Sequence, residues 1–180
     1  MKSRLSLERL RAVDMLWRMG YPRAYLLTWT TYGTWLPGDE RGSVDAMHNT
    51  PGLDYAPPNA ERRAASEQAM MQSALVLDAQ ARRVVRTAIE AHAELRGWEI
   101  VAPNVRSNHV HVVLHCGEVA PRDAIRQLKA WATRRLRAAG RVAADRRVWT
   151  EGGSGRYLWN DDDVQDAVKY VLDGQGPDLD

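Results

Sequence analysis

His109 and His111 stand two apart in the run HVHVVLH at 109–115. In an extended strand successive side chains alternate between faces. Both imidazoles therefore project from one face, and Val110, Val112 and Leu114 from the other. Burying that apolar face fixes the register, because a slip of one residue would drive the histidines into the core. Two neutral imidazoles side by side supply half of a divalent-metal site. An apolar-centred His-x-His pair arises by chance in about one chain in twenty of this composition, so two plain surface histidines are the competing reading. His115 shares the face two positions further along and reads as peripheral.

A second group lies near the end of the chain. Val164, Ala167, Val168, Val171 and Leu172 recur at helical spacing and form one apolar stripe. At about 100° per residue, Tyr170 falls roughly 130° from the centre of that stripe. It sits on the flank of the helix, either as an ordinary half-exposed residue or as a hydroxyl placed for chemistry. Gly174 ends the helix and leaves Gln175 just beyond it as a carbonyl-oxygen donor. A third group occupies residues 121–139, where Arg122, Arg126, Lys129 and Arg137 cluster within about 80° of the helix surface. They flank a separate apolar stripe of Ile125, Leu128, Ala132 and Leu136. Four cations on one stripe repel each other unless an anion neutralises them, which favours a phosphate backbone over solvation alone.

These groups need elements to hold them. Ala24–Thr31 (AYLLTWTT) reads as a strand. Residues 32–60 carry many Gly and Pro and read as a long loop, within a longer insert spanning 32–77. Asp78–Arg96 is predicted helical and ends at Gly97. Trp98–Ala102 is predicted as a short strand, Pro103–Asn104 as a turn, and His109–His115 as the strongest strand in the chain. Pro121–Ala139 is a helix opened by proline and closed by Gly140. Residues 146–150 and 156–158 read as strand pieces around a Gly-Gly-Ser-Gly turn. Asn160 caps a last helix, Asp161–Asp173, whose three opening Asp residues suit the positive end of the helix dipole. Strands adjacent in sequence at 98–115 imply an antiparallel hairpin, and hence an α+β fold with helices layered on a sheet. Residues 1–23 read as an N-terminal extension, with a short amphipathic helix over 1–20 and Met15 or Met19 as alternative starts; residues 24–180 form the main domain.

Composition narrows the classes. The chain has 180 residues, suited to one domain with an extension, and 25 Lys/Arg against 23 Asp/Glu. The balance is uneven: residues 121–147 hold nine Lys/Arg against Asp123 and Asp145, whereas 160–180 hold seven Asp against Lys169. That asymmetry points either to a polyanion partner or to two solvated helix faces. A lone Cys116 excludes an internal disulfide framework and a Cys-based zinc finger. No apolar run approaches the roughly 18 residues that span a membrane, and no secretory h-region is visible, so an intracellular, cytoplasmic location with no membrane partner is expected. No Gly-Lys dipeptide and no H-E-x-x-H occur, which removes the P-loop and the zincin helix. With seven Trp and no Phe, most tryptophans are expected in the core, though Trp35, Trp131, Trp149 and Trp159 could stack on unpaired bases.

The stretches YLLTWTTYGTWLPGDERG (25–42), NHVHVVL (108–114), WTEGGSGRYLW (149–159) and AVKYVLDGQG (167–176) occur in that order. Together they resemble the HUH endonucleases, and more closely the single-tyrosine transposases of the REP-associated group, over about 24–176. The resemblance implies a ferredoxin-like antiparallel sheet with helices on one face and a C-terminal helix carrying the catalytic Tyr170. It implies a Mg²⁺ or Mn²⁺ ion on His109 and His111, and cleavage of single-stranded or hairpin DNA through a 5′-phosphotyrosine. Family members often place the third ligand, Gln or Asn, four residues after the tyrosine. Here that position is Gly174, so Gln175 or Asp173 takes the role, with Gln175 favoured. The resemblance leaves open a monomer or a homodimer exchanging the tyrosine helix. Two other readings survive: a non-catalytic binder of hairpin DNA, and a rolling-circle initiator or relaxase-type nickase.

Overall fold

A computed structural model describes residues 20–42 and 56–174. The expected helix over 1–20 and its alternative starts lie outside the described residues, as does Gln175. The elements follow the order β1 (Ala24–Thr30), α1 (Ala60–Gln68), α2 (Ala79–Arg96), β2 (Glu99–Val105), β3 (His109–His115), α3 (Pro121–Ala138), β4 (Ser154–Leu158) and α4 (Asp161–Asp173). All strand pairs are antiparallel, in the order β2-β3-β1-β4. With α2 and α3 as the two crossovers, this is the ferredoxin-like α+β arrangement.

Alternation along the two central strands divides the core in two. Leu27 and Trp29 of β1, with Val110, Val112 and Leu114 of β3, meet Val85, Ile89, Leu128, Ala132 and Leu136 of α2 and α3. The opposite face is smaller: Ala24, Ala102, Val113 and Leu158 pack against Ala167 and Val171 of α4. Helices therefore cover both faces, two on one and the C-terminal helix alone on the other. Helix α2, which leads into β2, is bounded by local chemistry. Asp78 caps α2 by accepting from the Ala81 amide at 2.6 Å. Gly97 ends α2 at φ 68°, a left-handed conformation that glycine adopts without steric cost. At Gly155 the constraint is contact, since a Cβ there would stand 2.3 Å from the Pro121 Cβ. Only glycine lets β4 approach the start of α3 this closely.

The structure corrects three expectations. The insert at 32–77 is not all loop: Asn59 caps α1 by accepting from the Arg62 amide. That helix buries no residue, so it left no apolar period in the sequence. Pro103–Asn104 is not a turn but part of β2, with Pro103 opposite Val112. An edge strand tolerates a proline whose missing N–H would point outward. Residues 146–150 contribute only an isolated bridge, Trp149 to Thr31, rather than a strand.

Candidate active site

The site forms on the α4 face of the sheet, where β1 and β3 run side by side. Cross-strand partners Thr28↔His111 and Thr30↔His109 put both histidines beside threonines of β1. Thr28 Oγ1 lies 2.7 Å from His111 Nδ1. His109 Nδ1 lies 2.7 Å from Asn108 Oδ1. An amide oxygen only accepts, so this contact places the His109 proton on Nδ1 and its lone pair on Nε2. Oxygen partners on Nδ1 are the usual way a metal-ligating imidazole is oriented. The two rings stand edge to face with centroids 4.7 Å apart. Two imidazole nitrogens on one face could hold a divalent ion, and they match Mn²⁺ better than the harder Mg²⁺. Among the described residues no group of three His, Cys, Asp or Glu side chains gathers here.

Helix α4 brings the hydroxyl. Asn160 caps it by accepting from the Asp163 amide, while Asp163 Oδ2 accepts from the Trp159 amide. Its apolar stripe of Val164, Ala167, Val168 and Val171 packs on the sheet. Leu172, expected on the same stripe, is instead largely exposed. A helix lying on a flat sheet buries only an arc of its surface, and Leu172 lies beyond that arc. Tyr170 flanks the stripe on the other side. Its ring stands edge to face with His111, centroids 5.4 Å apart, and about half of its surface is open to solvent. His111, by contrast, is buried at 5%. Tyr170 and His111 meet within this one chain. Asn104, which the sequence reading passed over as a turn residue, secures the helix by donating from Nδ2 to the Val171 carbonyl at 2.6 Å. The signal was its register, directly across from His111. His115 sits two residues further along the same face, half-buried; burial holds its imidazole below the usual range, hence neutral.

The basic stripe lies elsewhere. Its helix, α3, packs on the sheet face opposite the histidines, so the structure does not bring Arg122, Arg126 or Arg137 to the His–Tyr group. All three are exposed, and Arg126 pairs with Asp123 at 2.9 Å. Lys129 departs from the stripe. Its ammonium donates to the Thr150 carbonyl at 2.7 Å and to the Gly152 carbonyl, fastening the Gly-rich turn, and burial pushes its pKa down to about 8. Asp173 is exposed near the end of α4.

With this geometry in place, comparison with known proteins adds a family. A family model described as IS200-like transposase matches residues 70–163, just over half of the chain. The chain belongs to the IS200-like transposase family. The matched span runs from α2 through β4, holds both histidines and ends before Tyr170. Among solved structures the chain is similar to a REP-associated tyrosine transposase bound to a REP hairpin, at 15% identity and a TM-score of 0.44. That match covers 82% of this chain and 63% of the other, so this chain spans less than two thirds of its length. No curated protein matches. No helix among the described residues is long and apolar enough to cross a membrane.

Proposed function

We propose that the protein is a metal-dependent nuclease and strand transferase acting on single-stranded DNA at a hairpin-forming element, through a tyrosine-linked intermediate. The observation that carries this reading is the edge-to-face seat of Tyr170 against His111, beside His109, in one chain.

The chain's own residues supply a nucleophile and its positioning. Tyr170 Oη gives up its proton and attacks the scissile phosphorus. The Oη–P bond forms as the P–O3′ bond breaks, and the departing 3′-oxygen takes a proton to become a 3′-OH. One phosphodiester is exchanged for another, so a different 3′-OH can reverse the step and join strands without ATP. Thr28 and Asn108 hold the two imidazoles in orientation, and Asn104 holds the helix that carries the hydroxyl. His109 and His111 would hold Mn²⁺ or Mg²⁺ through Nε2, with Gln175 the favoured third ligand and Asp173 the other, and the bound ion would draw charge from the scissile phosphate and orient it. Arg122, Arg126 and Arg137 are read as contacts to the DNA backbone, on the far face of the sheet.

The test is incubation with a 3′-labelled hairpin oligonucleotide and Mn²⁺, resolved on a denaturing gel. A metal-dependent protein–DNA adduct, absent in Tyr170→Phe, is the expected result. An adduct that survives in Tyr170→Phe would move the nucleophile to Tyr157 or Tyr32. Tight binding without any cleavage would favour a non-catalytic hairpin binder.

A further inference from the structure

We propose that the cleft at the carboxyl end of β1 receives one unpaired nucleobase of the DNA, and that a carboxylate at its polar end selects bases carrying an exocyclic amine. This rests on reading the protein as one that handles single-stranded DNA, and extends that reading to how the strand is recognised.

The cleft encloses about 290 Å³; Tyr32, Trp35, Trp149, Arg147, Thr150 and Glu151 are among the residues that line it. Three aromatic rings, those of Tyr32, Trp35 and Trp149, border this one space, and Trp149 also packs edge to face on the core ring of Trp29. These rings are held in place. Trp35 Nε1 donates to the Gly42 carbonyl at 2.7 Å, and the Arg41 guanidinium lies 5.2 Å from the Trp35 ring. Arg41 is in turn fixed by Asp39 at 2.7 Å. Trp149 Nε1 donates to the Lys129 carbonyl at 3.1 Å and to Thr133 Oγ1 at 3.0 Å. Walls set before the ligand arrives reduce the ordering cost of binding.

Charge complements this shape. The guanidinium carbons of Arg146 and Arg147 lie 6.0 Å and 5.8 Å from the Tyr32 ring. Arg147 is exposed, and no carboxylate pairs with it among the described residues. A cation beside an aromatic wall is the combination that takes a stacked base together with its phosphate. Glu151 adds a direction. A carboxylate accepts from the amino group of cytosine, adenine or guanine, whereas the one donor of an unpaired thymine, N3–H, lies between two carbonyl oxygens that repel a carboxylate.

Position ties the cleft to the histidines. Thr31 donates from its amide to the Asn108 carbonyl at 2.9 Å, and Thr34 Oγ1 donates to the same carbonyl at 3.1 Å. Asn108 is also the residue that orients His109. The wall carrying Tyr32 and Trp35 therefore hangs from the residue that sets the histidine pair.

The experiment is an abasic scan by fluorescence anisotropy. Each unpaired position flanking a labelled hairpin is replaced in turn by an abasic site, and affinity is measured with the full chain at fixed salt. One position is expected to lose about tenfold in affinity, the scale of a single stacked base. In Trp35→Leu that position-specific loss should vanish while other positions keep theirs. Glu151→Gln, a change at an exposed side chain, should abolish the preference for cytosine, adenine or guanine over thymine at the same position, which keeps the proposal testable if Trp35→Leu loosens its loop. Tight DNA binding with no position coupled to Trp35 or Glu151 overturns the pocket and leaves the nuclease reading standing. Absence of binding to any hairpin or single strand overturns both.

Discussion

The side-chain amide of Asn104 donates to the main-chain carbonyl of Val171 at 2.6 Å, while the backbone of Asn104 stands directly opposite His111. One residue of an edge strand thus touches the helix beside Tyr170 and faces the histidine that Tyr170 meets. The spacing between hydroxyl and imidazole is set through this bond as well as through the packing of Ala167 and Val171.

Asn104→Ala is therefore expected to slow formation of the tyrosine–DNA adduct while leaving DNA affinity unchanged. The lost bond should cost about 1 kcal/mol of stability, typical of a hydrogen bond to a partly buried carbonyl. A time course on denaturing gels, paired with a thermal melt, separates the two effects. An unaltered adduct rate would mean that apolar packing alone seats the helix.

His109→Ala should abolish Mn²⁺-dependent cleavage, because one of two imidazole donors is lost. Titrating the metal against cleavage in the variant and the parent reads this directly. Thr28→Val should act in the same direction more weakly, since it removes only the oxygen that orients His111. Undiminished cleavage by His109→Ala at low Mn²⁺ would take the metal away from this pair.

Arg126→Glu tests the α3 face. If backbone phosphates lie along it, affinity should fall for every DNA sequence alike, and the slope of affinity against salt should flatten by about one ion. The native pair with Asp123 is exposed, so its loss should change stability by less than about 1 kcal/mol. Anisotropy titrations across a salt series give the answer, and an unchanged affinity would reduce the stripe to a solvated surface.

Acid should loosen the segment that carries Trp35. Hydrogen bonds from Arg41 hold the Asp39 carboxyl down at about 2, below its ordinary value near 3.8. A carboxyl whose folded value is depressed contributes stability above its unfolded value and loses it as pH falls through the folded one. The contribution is therefore complete above about pH 4 and declines between about pH 4 and pH 2. Asp39→Asn should lower the melting temperature at neutral pH and show a shallower decline in that acid window. Parallel slopes for variant and parent would show that the pair does not stabilise the fold.

Local chemistry was legible wherever it coincided with a periodic pattern. The alternation in HVHVVLH fixed both the bounds of β3 and the shared face of its histidines, because one face had to be buried. Asn160 and the three Asp residues marked the start of α4, and the offset of Tyr170 from the apolar stripe placed it on a flank. Where no pattern was imposed, the elements were missed. The polar helix α1 buries nothing, and Pro103 looked like a turn until β2 proved to be an edge strand.

What the order of residues determined by itself was which side chains share a face, since helix and strand periods follow from backbone geometry alone. Which faces meet was decided only by the tertiary structure. That α4 crosses the histidine face and seats Tyr170 on His111, and that α3 carries its arginines to the other side while Lys129 turns inward, depends on long-range packing of a four-stranded sheet. Such contacts join residues far apart in the chain, and no local period encodes them.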